Sequence, residues 1–206
     1  WWKYYSIEPT ELEFDYYSIS WDFTFKDGKK SDYVVGQVWG KKGANYYLLD
    51  QTRDKMSFSA TISAVRALCS KWPDYREVLV EAKANGEAVM DTLKQEIHGI
   101  VGYSPKESKA SRASSITPLI EAGNVYLPDP LIKSWVKDYL EEWSTFPNND
   151  ADDQVDATSQ MLIRMKKSHG WIDKLNDEET KPEAPKSKED YVMSLLEKQG
   201  HKSLDY

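Results

Sequence analysis

The sequence predicts an α/β protein: a mixed sheet of three antiparallel strands followed by strands joined through helices, with helices on both faces. Three observations predict it. The early part is β-branched and aromatic, broken by turn signals. At residue 58 the apolar spacing changes from that of a strand to that of a helix. Beyond it, short apolar runs alternate with amphipathic stretches, and parallel strands need such crossovers.

The elements follow in order. Residues 16–25 (YYSISWDFTF) read as a strand, and Asp27-Gly28 marks a hairpin turn. Residues 32–40 and 46–51 give the second and third strands of a meander. Phe58, Ile62, Val65, Cys69 and Trp72 then fall at helical spacing, and Pro73 ends that helix. Glu77 to Glu81 is an apolar run of the buried-strand type, and Gly86 to about Ile97 is a helix. Ile100 to Tyr103 is a strand, 108–122 a helix closed by Gly123, and Val125 to Leu127 a brief strand. Asp129-Pro130 reads as a cap and first residue of a helix with Ile132, Trp135, Val136, Tyr139 and Trp143 on one side. The last large helix starts at Asp152 or Asp153. This is the element order of an RNase H-like sheet.

Three regions are expected: residues 1–14 as a junction, 15–172 as the α/β domain, and 173–206 as a tail. The tail holds the linker-like KPEAPKSKED and a small amphipathic patch at Tyr191, Val192, Leu195 and Leu196. The abrupt opening at Trp1-Trp2-Lys3, without an initiator Met, reads as a piece of a longer protein.

The 206 residues, 40% hydrophobic, suit one folded domain with an appendage. A net charge of −7 argues against a general nucleic-acid binder, unless the basic residues are grouped and the acids serve a metal site. A single cysteine, Cys69, permits no internal disulfide and fits a reducing compartment. No run approaches the ~18 apolar residues of a membrane span. The three histidines show no zinc-ligand spacing.

The acids carry the chemistry. Asp22 lies within a strand among Ile19, Trp21, Phe23 and Phe25, where an ionised carboxylate is costly unless it is paired or binds a cation. Glu81 ends its strand, at the carboxyl edge where α/β sites form. Asp152, Asp153 and Asp156 open the last helix, and capping explains one or two of them. Asp153 and Asp156 repel each other as i, i+3 neighbours, and a bound cation would reverse the sign. In an RNase H-like sheet the first and fourth strands are adjacent, so these acids would converge. Two hard cations need such an oxygen-rich set.

The ordered set of segments resembles the nuclease domain of the large terminase subunit of tailed bacteriophages, across about residues 15–165. S-I-S-W-D-F-T-F-K-D-G-K-K-S-D-Y-V-V-G is similar to its first motif, V-L-V-E-A-K-A-N-G to its second and D-D-Q-V-D-A to its third. K-A-S-R-A with P-L-I-E-A-G-N-V-Y-L-P resembles the segment between the last two. The resemblance implies an RNase H-like fold and a metal-dependent endonuclease that cuts concatemeric viral DNA during genome packaging. It implies two ions, Mg²⁺ or Mn²⁺, held by Asp22, Glu81 and the Asp153–Asp156 turn, with Asp32 as an auxiliary ligand. Related resolvases end in a D-x-x-D-A helix, which favours Asp153 and Asp156 over Asp152. Trp21-Asp22-Phe23-Thr24 departs from the family in lacking the small residues or proline that often follow the first acid.

The implied partners are double-stranded DNA, an upstream packaging ATPase domain of the same polypeptide, the portal and the small terminase subunit, with no membrane. The implied location is the host cytoplasm. For the DNA backbone the candidates are Lys83, Lys106, Lys109 and Arg112. No ATP-binding P-loop is present: Gly36 to Lys42 is one residue short, lacks the Ser/Thr and sits in a strand-to-turn pattern. Two other readings remain: a resolvase- or transposase-like nuclease of the same fold, and a non-catalytic RNase H-like docking module.

Overall fold

A computed structural model describes residues 1–23, 33–82, 84–148 and 151–179, with the side chains of 10, 84, 85 and 168–179 outside the description. The chain divides into a body, Trp1–Lys167, and a second unit, Ser168–Tyr206. Of the second unit, 168–179 is described, as helical backbone that includes the start of the expected linker. The Tyr191–Leu196 patch lies outside the described residues.

The strands are β1 (Lys3–Tyr5), β2 (Tyr16–Asp22), β3 (Val34–Lys42), β4 (Asn45–Asp54), β5 (Val78–Glu81), β6 (Ile100–Tyr103) and β7 (Val125–Pro128). The helices are α1 (Phe58–Lys71), α2 (Ala84–Leu93), α3 (Lys109–Glu121), α4 (Val136–Thr145) and α5 (Asp153–Glu179). All seven strands form one sheet in the order β1-β7-β4-β3-β2-β5-β6. β2, β3 and β4 are the antiparallel meander, while β5, β6, β7 and β1 join in parallel. The mixed α/β sheet is therefore as predicted, with one strand more. β1 is only three residues long, too short for an alternation to show in the sequence.

The sheet separates two apolar clusters. Ile19, Trp21, Phe23, Val78 and Val80 pack with Ile62, Val65 and Leu68 of α1 and Val89 and Leu93 of α2. On the other face Trp39, Leu48, Leu79 and Leu127 pack with Ile116 and Ile120 of α3, Tyr139 of α4 and Met161, Leu162 and Met165 of α5. Strand side chains alternate between faces. The odd positions of β2 belong to the α1/α2 face, so Ser20 and Asp22 lie on the face of α3–α5. In β5 the same rule sends Glu81 to the side of Leu79, which is again that face.

One expectation is corrected. Asp129 caps a single turn and not a helix: its Oδ1 accepts from Leu131 N at 2.8 Å, and its carbonyl accepts from Ile132 N and Lys133 N. α4 begins only at Val136, leaving Leu131 89% and Ile132 52% exposed. The apolar stripe is real from Trp135 onward, and Ile132 falls one turn before it. Among the described residues, no helix is long and apolar enough to cross a membrane.

Gly36 faces Trp21 across the β2–β3 pair, and a Cβ there would lie 2.5 Å from the indole ring. Trp21 is fully buried. Gly36→Ala is expected to destabilise the fold by about 1–3 kcal/mol, as overpacking does. Urea unfolding checks this, and an unchanged midpoint would refute it.

Candidate metal centre

The parallel β2–β5 register runs Ile19↔Val78, Ser20↔Leu79, Trp21↔Val80. One step further, at the ends of both strands, stand Asp22 and Glu81. Both are buried, at 4% and 5% exposure. The first turn of α2 lies directly on the end of β5: a Cβ on Gly86 would overlap the Glu81 carbonyl oxygen. Only glycine permits that approach.

α5 is fastened to β2 beside Asp22. Ser20 Oγ donates to the Ala157 carbonyl at 2.7 Å, while Gln160 Nε2 donates to Ser20 Oγ at 2.7 Å and to the Trp21 carbonyl at 2.9 Å. These bonds bring the first turn of α5, with Asp153 and Asp156, over the strand ends. Both acids are buried.

The start of α5 is capped from outside. Glu142 of α4, itself buried, accepts from Gln154 N at 2.7 Å and Val155 N at 3.1 Å through Oε1. Its Oε2 accepts from Gln154 Nε2 at 2.6 Å, and Arg53 Nη2 stands 3.6 Å away. A carboxylate on the N-terminal N–H groups of a helix takes the place a capping side chain would fill. Helix capping was the competing explanation for the helix-opening acids, and Glu142 takes over part of that work. Asp153 Oδ2 instead accepts from Tyr33 N at 3.0 Å. Nothing local in the sequence marks Glu142, because its partners lie twelve and thirteen residues away on another helix.

Two cations from α3 enter the cluster. Lys109 Nζ lies 2.7 Å from Asp152 Oδ1 and 2.5 Å from Asp156 Oδ2. Arg112, 3% exposed, holds Asp156 Oδ1 at 2.5 Å and reaches Glu81 Oε1 at 3.5 Å. Burial disfavours charge on both bases, but the neighbouring acids prevail, Asp152 then Asp156 for Lys109 and Asp156 then Glu81 for Arg112, and hold both pKa values above their ordinary ones. Asp22 is driven the other way. Burial, then the charges of Asp156, Asp153 and Glu81, push its carboxyl well above the usual range, with Lys109 opposing. The cluster thus holds more negative charge than its two bases relieve.

The structure brings together Asp22, Glu81, Asp153, Asp156, Lys109 and Arg112. Lys109 and Arg112 contact the acids themselves, a relation their spacing does not reveal. Lys106 is exposed and joins no ion pair among the described residues. Asp32 and Lys83 lie outside the described residues. As the side chains stand, no group of three or more acid, histidine or cysteine side chains among the described residues is arranged to hold a metal ion. The gathered carboxylates are directed instead at Arg112, Lys109 and Tyr33 N. The donor set still fits divalent cations: four buried carboxylates on three elements, one of them destabilised in its charged form.

A family model described as the terminase RNaseH-like domain matches residues 19–165. The fold is similar to the large terminase of a thermophilic bacteriophage in complex with ADP, at 14% identity and a TM-score of 0.55 over 72% of this chain and 39% of that one. The chain therefore spans well under half of that relative. It is similar to the large terminase nuclease from thermophilic phage G20c with bound zinc (24% identity, TM-score 0.53, 70% of this chain and 78% of that one). It is also similar to the g2p (large terminase) nuclease domain from bacteriophage SPP1 with bound Mn (21% identity, TM-score 0.51, 73% and 87%). No curated protein sequence matches the chain.

Replacing Glu142 by Ala leaves two backbone N–H groups of α5 without their acceptor. A loss of about 2–4 kcal/mol is expected from a lost cap and lost charge-assisted bonds together. Glu142→Gln, which keeps an acceptor oxygen, should lose less. Chemical denaturation of both variants checks the order, and equal losses would count against capping.

Proposed function

This chain belongs to the terminase RNaseH-like domain family, and from that membership we propose that it is a divalent-metal-dependent DNA endonuclease. Its role would be to cut concatemeric viral DNA during genome packaging. The observation that carries the reading is Asp22: a carboxylate buried at a strand end, beside Glu81 and beneath Asp153 and Asp156. A merely structural site has little reason to gather acids there, because each raises the free energy of the others.

Asp22, Glu81, Asp153 and Asp156 would hold the metal, with Mg²⁺ or Mn²⁺ as the candidates. Bound divalent cations supply activation of the attacking water and neutralisation of charge on the scissile phosphate. The protein's part is to fix the carboxylates. β2 and β5 hold Asp22 and Glu81 in register, Gly86 lets α2 close on the end of β5, and Glu142 with Gln160 sets the height and rotation of α5. Lys109 and Arg112 hold the acids together by ion pairs. The further partners in this reading are a packaging ATPase domain of the same polypeptide, the portal and the small terminase subunit, at work in the host cytoplasm. The likeness to the ADP-bound large terminase over 39% of its length supports the first of these.

Asp22→Ala and Glu81→Ala are expected to abolish Mn²⁺-dependent degradation of plasmid DNA while far-ultraviolet circular dichroism stays unchanged. Cleavage at the unmutated rate would sink the proposal. In EDTA, Asp22→Asn should melt at a higher temperature than the unmutated chain, because it removes a charge that burial and three acids penalise. Mn²⁺ should raise the melting temperature of the unmutated chain, by about 2.7 kcal/mol of stability at a hundredfold excess over Kd, and leave Asp22→Asn nearly unmoved. A melting temperature indifferent to Mn²⁺ in both would favour a non-catalytic docking module.

A further inference from the structure

Between α3 and α5 lies a cavity of about 430 Å³, lined by Glu107, Ser111, Arg112 and Ser115 on one side and Ile163, Lys166 and Lys167 on the other. Ile163 and Lys167 follow Asp156 at helical spacing on one side of α5. At 1.5 Å per residue, Lys167 stands about 16 Å along the helix from Asp156. That is roughly four to five base steps of a DNA strand at ~3.4 Å each. The lining carries three cations against the single acid Glu107, and both lysines are exposed.

Arg112 belongs to the cavity and the carboxylate cluster at once. Its Nη1 and Nη2 reach Glu81 and Asp156. Its Nε is buried and has no hydrogen-bond partner among the described residues. A buried donor left unpaired is penalised. An anion that met the guanidinium on its Nε edge would remove that penalty, and the guanidinium is the side chain best suited to serve oxygens on two edges.

We propose that this cavity binds a backbone phosphate of the DNA strand to be cut, and that Arg112 is shared between that phosphate and the carboxylates. Strand binding draws Arg112 away from Glu81 and Asp156 and opens them to metal. The inference rests on the nuclease reading of the carboxylate cluster. Because such coupling is reciprocal, metal in the centre strengthens the hold on the strand by the same factor.

The test uses the full chain and two separate measurements: anisotropy of a short fluorescent DNA duplex in EDTA, and calorimetric titration with Mn²⁺ without DNA. Lys166→Glu combined with Lys167→Glu is expected to weaken duplex binding about tenfold or more near 0.1 M salt and to lower the salt slope by about 2. Its Mn²⁺ affinity should not change. Arg112→Gln is expected to move the two readouts in opposite directions, weaker for duplex and tighter for Mn²⁺. A loss of both would mark Arg112 as structural and overturn the shared role. Duplex binding unaffected by the double lysine substitution would overturn the cavity assignment, and the exposure of both lysines keeps that variant folded. Complete displacement of the duplex by inorganic phosphate at constant ionic strength would assign the cavity to free phosphate and not to DNA. Absence of Mn²⁺ binding by the unmutated chain would sink the metal centre alone and leave the duplex measurements to decide the cavity.

Discussion

The structure is organised around a surplus of buried negative charge where β2 and β5 end together. Asp22 and Glu81 are brought there by strand register, and Asp153 and Asp156 by the first turn of α5. Charge of one sign in a place shielded from water is tolerated only if it is neutralised. Two means of neutralisation are visible. Burial and the neighbouring acids shift Asp22 toward its protonated form, and Lys109 and Arg112 bring positive charge from α3. A divalent cation would be a third means, and like the two bases it would leave the carboxylates ionised.

Holding such a cluster together requires a scaffold that does not depend on the acids. That scaffold is a buried polar layer between β2–β4 and α4–α5. Gln37 Oε1 accepts from Trp39 Nε1 and Thr158 Oγ1, and Gln51 Nε2 donates to Gln154 Oε1. Tyr139 shares a hydrogen bond with Thr158, and Glu142 closes the layer at the start of α5. Apolar packing alone would let α5 slide or rotate at little cost. Directional bonds whose loss strands buried donors permit one rotation. That rotation sets Asp153 and Asp156 over Asp22 and Glu81.

The sequence carries the fold further than the site. The change of period at Phe58 and the apolar run before Glu81 are local signals, and local signals suffice for the helix-linked strands, while the Asp27-Gly28 turn signal lies outside the described residues. β1 escapes notice because three residues hold no period, and the turn at Asp129 reads as a helix start because a cap looks alike in both. At the centre, the burial of Asp22 can be read from its apolar neighbours on the same strand. Glu142, Gln160 and the inward turn of Arg112 cannot, since each acts across 12 to 140 residues of chain through a geometry no spacing encodes.

Counting charges suggests how the centre and its substrate depend on each other. Asp22, Glu81, Asp152, Asp153 and Asp156, all ionised, outnumber Lys109 and Arg112 by three. One divalent ion reduces the surplus to a single negative charge, so a first ion can enter with both bases in place. A second ion carries the site past neutrality to one positive charge. Either a base must then withdraw, or one more negative charge must come in. A single phosphodiester supplies that charge, and if it also engages Arg112 it meets both conditions at once. On the nuclease reading, full metal occupancy and the presence of a DNA strand then favour each other on electrostatic grounds alone. On the same reading, a centre balanced in this way is least complete when no DNA lies across it.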